Sequence, residues 1–306
     1  MRDYVDKLKE LARRSGSNWC WGFDSCPLPG GLVASIDGYS LEESLLPWMT
    51  LEDWGWKAVV AAAMDVVASG GKPVQVMYSV GVKSFEDALK VASGVGLASR
   101  WMGVRVGKSD VNRSVGGEGW IDVAVVGEAP KPIPRYGVRP GHLIVQVGYL
   151  GFGAVARLAL EGALKPSQMP REVLDYTRRP KPPVTLGPSL SHCRVSAASD
   201  NSDGWSVTLY TLAVESGVKI EIDKMEVPKY IVKTLEPLTR KVQQLLLESW
   251  EDYNLAVAGD PGSVECLLKE CRLQGIPCTI VGRALEGEPS IYYKGVKVEA
   301  EGWTSI

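Results

Sequence analysis

The pattern of apolar and polar positions predicts alternating strands and helices in the first half of the chain. Apolar runs predict four strands, over residues 31–37, 73–82, 104–111 and 119–129. Helical spacing predicts a long helix over 52–69 and a second helix that begins at Ser84. The first sixteen residues also carry an amphipathic helical pattern.

A Pro-rich stretch over 129–141 separates this half from a second half that again mixes strands and helices. The predicted elements of the second half are a strand, glycine turn and helix within 142–164, a loop over 196–204, a helix from Trp205, a strand over 218–223, a helix over 229–248, a strand over 254–259, a helix over 263–274, and strands over 278–284 and 290–299. A length of 306 residues favours two domains. We therefore predict two α+β domains, residues 1–135 and 136–306.

Composition is typical of a soluble globular protein, with 45% hydrophobic and 23% charged residues. The formal net charge of -2 provides no basic field that would recruit nucleic acid. No apolar run reaches the roughly 20 residues that cross a bilayer, and the N-terminus lacks the pattern of a signal peptide. We therefore expect a cytoplasmic protein without nucleic-acid or membrane partners.

Histidine and cysteine offer little material for metal or triad chemistry. The chain has two histidines, and its six cysteines match no standard zinc spacing. Cys266 and Cys271 lie in a predicted helix, where buried thiols are the ordinary case, and whether the cysteines pair stays open. Any chemistry must therefore depend on carboxylates, backbone amides and a few basic residues.

Asp65 is the most informative single residue, because its predicted helix is apolar on every face. Such a helix is buried, and a buried carboxylate is costly unless it is paired, protonated or bound to a cation. Asp65 is therefore either a structural cap for a nearby loop or part of a cation site.

Further acids stand at the ends of predicted elements: Asp24, Asp37, Asp110, Asp200 and Asp203. Taken singly, each has an ordinary structural explanation, as Asp203 has in capping the helix that follows it. Together they suit Mg²⁺ carrying the phosphates of ATP.

The glycine-rich segment GYLGFGAVA (148–156) lies between a predicted strand and helix. Its GxxGxG pattern could cradle a phosphate, although it lacks the features of a P-loop or a dinucleotide-binding turn. Close packing of the helix on the strand explains the glycines equally well.

Segments that span nearly the whole chain carry recognisable motifs. They are GFDSC (22–26), DGYSLE (37–42), GWKA through DVVASGGKP (55–73), GKSD (107–110), the stretch 137–151, RPKPP (179–183), SDNSDGW (199–205), SWEDYNL (249–255) and Gly302-Trp303. In order and spacing they resemble the thiamine-monophosphate kinase family of the aminoimidazole-ribonucleotide-synthetase-like superfamily. SDG followed by EDY is the most specific part of this resemblance.

The resemblance implies an α+β / α/β fold of two domains. The N-terminal mixed sheets of two chains would form a barrel in a homodimer, and the C-terminal domain would be an α/β sandwich. It implies ATP and Mg²⁺ as cofactors, and transfer of a phosphoryl group from ATP to the phosphate of thiamine monophosphate.

The resemblance also implies roles for individual residues. Metal ligands would be Asp24, Asp37, Asp65, Asp110 and Asp203, and ATP would contact Gly107, Asp110, Asn112, Ser202 and Asp203. Asp203 would act in catalysis, with Lys57 or Lys108 offsetting charge on the transferred group. The substrate would meet Glu251, Asp252, Trp250 and Trp303, and these tryptophans would either stack on thiamine rings or pack in the core.

This sequence departs from the family pattern at several positions: Phe23, Ala62, Ala63, Lys108, Ser109, Pro183, Ser249 and Trp250. The loss of one acid and the gain of Lys108 would reduce the negative charge of the site. Two alternatives therefore stand beside the kinase. One is another ATP-using enzyme of the superfamily that activates an amide or carbonyl oxygen. The other is a non-catalytic nucleotide-binding homodimer.

Overall fold

The computed structural model describes residues 7, 10, 11, 14, 15, 20–114 and 118–302. The predicted N-terminal helix lies largely, and Trp303 wholly, outside these residues. The described chain forms two mixed β-sheets with helices, which confirms the predicted mixed α/β class. None of its helices has the length and apolar composition needed to cross a bilayer.

A five-stranded sheet organises the first half. In chain order the elements are β1 (Cys26–Leu28), β2 (Leu32–Ser40), α1 (Leu41–Ser44), α2 (Leu51–Ala68), β3 (Lys72–Val82), α3 (Phe85–Met102), β4 (Arg105–Arg113) and β5 (Trp120–Glu128). The strand order is β1-β2-β5-β3-β4. Only β3 and β4 pair in parallel, and α3 supplies the crossover between them.

Helix α2 lies at the centre of the molecule. Fifteen of its 18 residues are buried, as its apolar pattern predicts. It begins with a capping box between Thr50 and Asp53. Gly94 on α3 lies against the Glu52 carbonyl, so a side chain at this position would push the two helices apart. Since α2 contacts β2 and β5 as well as the second half, its side chains are positioned against both sheets.

A seven-stranded sheet organises the second half. In chain order the elements are β6 (Leu143–Val147), α4 (Phe152–Leu160), α5 (Arg171–Arg178), α6 (Gly187–His192), β7 (Ala197–Asp200), α7 (Trp205–Ser216), β8 (Lys219–Ile222), α8 (Lys229–Leu235), α9 (Val242–Leu247), β9 (Leu255–Gly259), α10 (Pro261–Gln274), β10 (Cys278–Leu285), β11 (Ser290–Tyr293) and β12 (Val296–Val298). The strand order is β12-β11-β8-β10-β6-β9-β7. This order places β7 at the edge of the sheet, where it packs against α2.

Buried ion pairs fasten the start of α2 to the second half. The Asp53 carboxylate is fully buried and accepts hydrogen bonds from Arg178, at 2.9 Å, and from Arg179. Burial opposes ionisation, but the hydrogen bonds from Thr50 and the two guanidinium groups outweigh it and lower the pKa of Asp53. The Pro-rich stretch after α5 is thereby held against the first half.

Three predicted elements are wrong in detail. The single helix over 229–248 is two helices, because Pro237 has no N–H to continue the hydrogen-bond ladder. The strand over 290–299 is a hairpin that turns at Lys294 and Gly295, both with positive φ. The loop over 196–204 contains strand β7, whose four residues are all buried.

All six cysteines are paired, which answers the question that the sequence left open. The disulfides are Cys20–Cys26, Cys193–Cys266 and Cys271–Cys278. Cys266 and Cys271 are therefore not free thiols, and the cysteines provide no thiolate ligands for a metal.

Candidate functional site

Five aspartates from separate parts of the chain converge where the two halves meet. Asp24 lies in the loop before β1, Asp37 on β2 and Asp65 in α2, while Asp200 ends β7 and Asp203 lies in the loop before α7. Each interacts electrostatically with at least one other member. We call these five residues the carboxylate cluster.

Asp24 is tied to the end of β7 and to one arginine. Its carboxylate accepts hydrogen bonds from the Ser199 hydroxyl at 3.2 Å and the Asp200 backbone N–H at 3.3 Å. The Arg135 guanidinium lies 3.5 Å from the same carboxylate. Burial nevertheless raises the pKa of Asp24 to about 6, because these contacts only partly offset the loss of water.

The other four aspartates repel one another in a poorly solvated space. Burial, followed by repulsion from Asp203 and Asp24, raises the pKa of Asp37 to about 6. Burial and neighbouring carboxylates raise the pKa values of Asp65 and Asp200 well above 3.8, although the Ser35 hydroxyl donates a hydrogen bond to Asp65. The cluster therefore holds more negative charge than its protein surroundings compensate.

The cluster fits Mg²⁺ by the chemistry of its donors. Carboxylate oxygens are ligands that Mg²⁺ prefers, and the ion usually retains water and uses only one or two protein carboxylates beside substrate phosphates. Among the described residues, no three acidic, histidine or cysteine side chains form a ready-made metal cage.

A cavity of about 300 Å³ adjoins the cluster, and two of the five aspartates form part of its wall. Asp37 and Asp203 stand on its wall together with Tyr39, Trp250 and Glu251. Ser202 also lines the cavity, and its carbonyl accepts the Glu251 N–H at 2.7 Å. The cavity therefore has a carboxylate edge and an aromatic wall.

Lys57 does not face this cavity as a free cation. Its ammonium group is buried and lies 2.9 Å from the Glu251 carboxylate and 2.8 Å from the Ser44 carbonyl. The sequence analysis gave Lys57 or Lys108 as the residue that offsets charge on a transferred group. The contacts of Lys57 indicate instead that it fixes the position of Glu251.

Asp252 faces away from the cavity and caps helix α4. Its buried carboxylate accepts the backbone N–H groups of Gly151 at 2.7 Å and Gly153 at 2.9 Å, and the hydroxyl of Ser249 at 2.7 Å. Burial raises the pKa of Asp252 to about 6 despite these bonds. The glycine-rich turn therefore already holds an anion from its own chain, which leaves these amides unavailable to a phosphate.

The loop that carries Glu251 has an unusual backbone. Glu251 and Tyr253, on either side of Asp252, have φ values of 51° and 48°. This left-handed conformation is strained for residues other than glycine, and such strain is often found at functional sites. The Asp252 cap and the Tyr253 N–H bond to the Asn201 carbonyl, at 2.9 Å, hold the loop in place.

Strand β4 lies apart from the cluster within one chain. Asp110 pairs in register with Ser79 of β3, Ser79 with Asp122 of β5, and Asp122 with Gly38 of β2. Three strand spacings, about 14 Å along the sheet, thus separate Asp110 from Asp37 and its neighbours. The predicted site residues on this strand, all of them exposed, are Gly107, Lys108, Asp110 and Asn112.

Trp250 is buried and lines the cavity. Trp303 lies outside the described residues, but the preceding Gly302 packs against the backbone of Asp203.

The sequence-based site omitted three groups that the structure brings to these residues. Asp200 was recognised as one acid among several but received no role, while Arg135 and Ser35 were not singled out. Arg135 lies within the Pro-rich stretch between the predicted domains, and Ser35 lies two positions before Asp37 on the same strand. Residues two positions apart on a strand point to the same face, so the predicted role of Asp37 could have identified Ser35 as its neighbour.

Comparisons with known proteins agree with this architecture. The profile of the family described as AIR synthase related protein, N-terminal domain, matches residues 26–129, and that of the corresponding C-terminal domain matches residues 139–294. The solved structure of AaThiL complexed with AMPPCP and TMP has a TM-score of 0.83 at 24% identity, covering 98% of this chain and 96% of that one. The chain belongs to the AIR synthase related protein family.

Curated relatives define the branch within this family. Thiamine-monophosphate kinase from Methanopyrus kandleri is 31% identical over an alignment that covers 87% of this chain and 82% of the relative. The same kinase from Pyrobaculum calidifontis is 26% identical, with 89% and 86% covered. The chain is a member of the thiamine-monophosphate kinase family.

The carboxylate cluster should make stability depend on pH and on Mg²⁺. Because Asp24 and Asp37 have a pKa of about 6 when folded and 3.8 as the ordinary value, the folded chain binds more protons than the unfolded chain between these limits. Without divalent cations, the midpoint of thermal unfolding should therefore rise as pH falls from about 7.5 to about 5.5, by at least about 2 °C.

Excess Mg²⁺ should raise the midpoint at the higher pH and have a smaller effect at the lower pH, where protons compete for the same oxygens. Differential scanning fluorimetry in chelator, with sodium chloride at matched ionic strength as control, measures both effects. A midpoint that falls on acidification, or a response to sodium equal to that to Mg²⁺, would contradict the electrostatic account.

Proposed function

We propose that the protein uses ATP and Mg²⁺ to phosphorylate the phosphate group of thiamine monophosphate, giving thiamine diphosphate. The observation that carries the proposal is the shared wall between the carboxylate cluster and the 300 Å³ cavity, formed by Asp37 and Asp203. A triphosphate held through cations at the cluster would present its terminal phosphate to a molecule in this cavity. Membership of the kinase family supports the same assignment.

Asp24, Asp37, Asp65, Asp200 and Asp203 would between them hold Mg²⁺ ions, with one or two carboxylates binding each ion directly. Bound Mg²⁺ neutralises the charge of the triphosphate, which is the main requirement of phosphoryl transfer. The five aspartates orient the nucleotide, and Arg135 lies beside Asp24 where its guanidinium can contact a phosphate. Asp203 acts in catalysis by positioning the triphosphate next to the phosphate of the second substrate, since such positioning provides much of the rate enhancement.

The second substrate would occupy the cavity next to Glu251. A thiamine ring system is flat and cationic, so a carboxylate and the aromatic wall of Tyr39 and Trp250 complement it. Lys57 keeps Glu251 in this position through the buried ion pair. In this scheme Asp252 acts indirectly, because it holds the loop that carries Glu251.

We also propose that two chains associate through their five-stranded sheets. Strand β4 is nine residues long, lies at a sheet edge and is exposed at every position, including Val106 and Val111. Ile36, on strand β2 near the other edge of the sheet, is 71% exposed. Long exposed edges with apolar side chains are normally paired or covered. Association would also bring Lys108, Asp110 and Asn112 of one chain into contact with the other.

A direct assay tests the proposed reaction. Purified protein incubated with Mg²⁺, ATP and thiamine monophosphate should form thiamine diphosphate, detected by fluorescence after oxidation. Asp203→Asn should lower the rate at least about 100-fold, because it removes a charge that positions the nucleotide. Asp175→Asn, on the exposed face of α5, is the matched control and should retain the wild-type rate.

Nucleotide binding without product would favour the non-catalytic homodimer, and absence of nucleotide binding would exclude every ATP-using alternative. ATP hydrolysis that depends on a different, amide-bearing acceptor would favour the other enzymes of the superfamily.

Sedimentation equilibrium tests the association. The wild-type chain should sediment at twice its monomer mass, and Val106→Glu with Val111→Glu should shift it towards monomer, because the contact would bury two unpaired charges. Leu273→Glu on α10, where the side chain is 72% exposed, should leave the dimer intact. A monomeric wild-type chain, or a dimer that tolerates the β4 changes and loses affinity with Leu273→Glu, would overturn this assignment.

A further inference from the structure

A second cavity, of about 440 Å³, lies outside the site described above. Its walls come from the end of α3, the turn before α4, the stretch after α5 and the segment that follows α10. It shares no lining residue with the carboxylate-lined cavity. We call it the aromatic cavity.

Aromatic side chains dominate the walls of this cavity. Trp101, Tyr149, Phe152 and Tyr176 all line it, and the rings of Phe152 and Tyr176 stack with their centroids 3.9 Å apart. Trp101 is 36% exposed, so its ring is accessible at the rim. Such walls favour a flat ring that can stack or insert between them.

The charges on the lining select against a cation. Lys181 is an exposed lining residue whose ammonium group lies 5.9 Å from the centre of the Trp56 ring, and no carboxylate is among the described residues that line the cavity. The carboxylate-lined cavity has the opposite character, with Asp37, Glu43, Asp203 and Glu251 on its walls. A cationic thiamine ring would therefore prefer the first site, whereas an anionic aromatic molecule would prefer the aromatic cavity.

Asn254 adds a buried donor that has no acceptor in the described protein. The residue lines the aromatic cavity and is 1% exposed, and its buried Nδ2 group has no hydrogen-bond partner among the described residues. Its orientation is fixed by neighbours: the Gly204 N–H donates to Asn201 Oδ1 at 3.1 Å, so Asn201 Nδ2 must donate to Asn254 Oδ1 at 2.8 Å. A buried amide N–H without an acceptor is costly, and a ligand acceptor would remove that cost.

We propose that the aromatic cavity binds a planar heteroaromatic anion with the chemistry of a nucleoside monophosphate. The ring stacks on the aromatic walls, a ring nitrogen or carbonyl accepts from Asn254, and the phosphate pairs with Lys181. This binding needs no divalent cation, because the cavity contributes a positive charge and no acidic side chains.

Isothermal titration of AMP into the full-length protein in chelator tests the proposal. AMP should bind without Mg²⁺. Adenosine and inorganic phosphate should each bind at least about tenfold more weakly, because adenosine lacks the phosphate and inorganic phosphate lacks the ring. Lys181→Gln should weaken AMP binding about tenfold through loss of a charge-assisted contact. Trp101→Ala should weaken it by a similar factor through lost stacking.

Two controls separate this site from the carboxylate cluster. Lys233→Gln, which removes another exposed charge, on α8, should leave AMP affinity unchanged, and so should Asp65→Asn. These expectations do not depend on the proposed kinase reaction, so a protein without kinase activity would still be expected to bind AMP here. Absence of AMP binding in chelator, or binding that is lost with Asp65→Asn and retained with Lys181→Gln, would overturn the proposal.

Discussion

The structure depends on one electrostatic constraint, the crowding of several buried or half-buried carboxylates at the junction of two sheets. Asp65 is one of the three residues of α2 that are not fully buried, and desolvation together with Asp37, Asp200 and Asp24 raises its pKa. Arg135 lies beside this cluster, and its guanidinium compensates only part of the charge. Folding therefore keeps a site with excess negative charge, and cations brought by a polyphosphate would complete its compensation.

A second set of contacts keeps the neighbouring loop in a conformation that it would not adopt alone. Asp252 ties the loop to the start of α4, and Lys57 holds Glu251 from the side of α2. The positive φ values of Glu251 and Tyr253 persist because these contacts determine the backbone on both sides. Neighbouring residues of the EDY segment (251–253) therefore have different roles, because Glu251 faces the cavity while Asp252 stabilises the loop.

Local pattern predicted the parts of this arrangement that depend on local physics. Asp65 stood out because an apolar helix must be buried, and most strands followed from apolar runs. Asp252 was misplaced because its partners, Gly151 and Gly153, lie about a hundred residues earlier and only the tertiary fold brings them together. The contact of Lys57 with Glu251 was not predicted for the same reason, since this ion pair spans 194 positions. The placement of Asp110 depends on strand order, which no local pattern encodes.

Substitution of Asp65 by asparagine measures the central claim most directly, because it removes one charge while keeping an acceptor for the Ser35 hydroxyl. In chelator, the midpoint of urea unfolding should be equal to or higher than that of the wild type, since repulsion and desolvation are relieved. Affinity for ATP with Mg²⁺, measured by titration calorimetry on the same protein, should fall at least about tenfold. A less stable variant that binds the nucleotide with wild-type affinity would contradict the account.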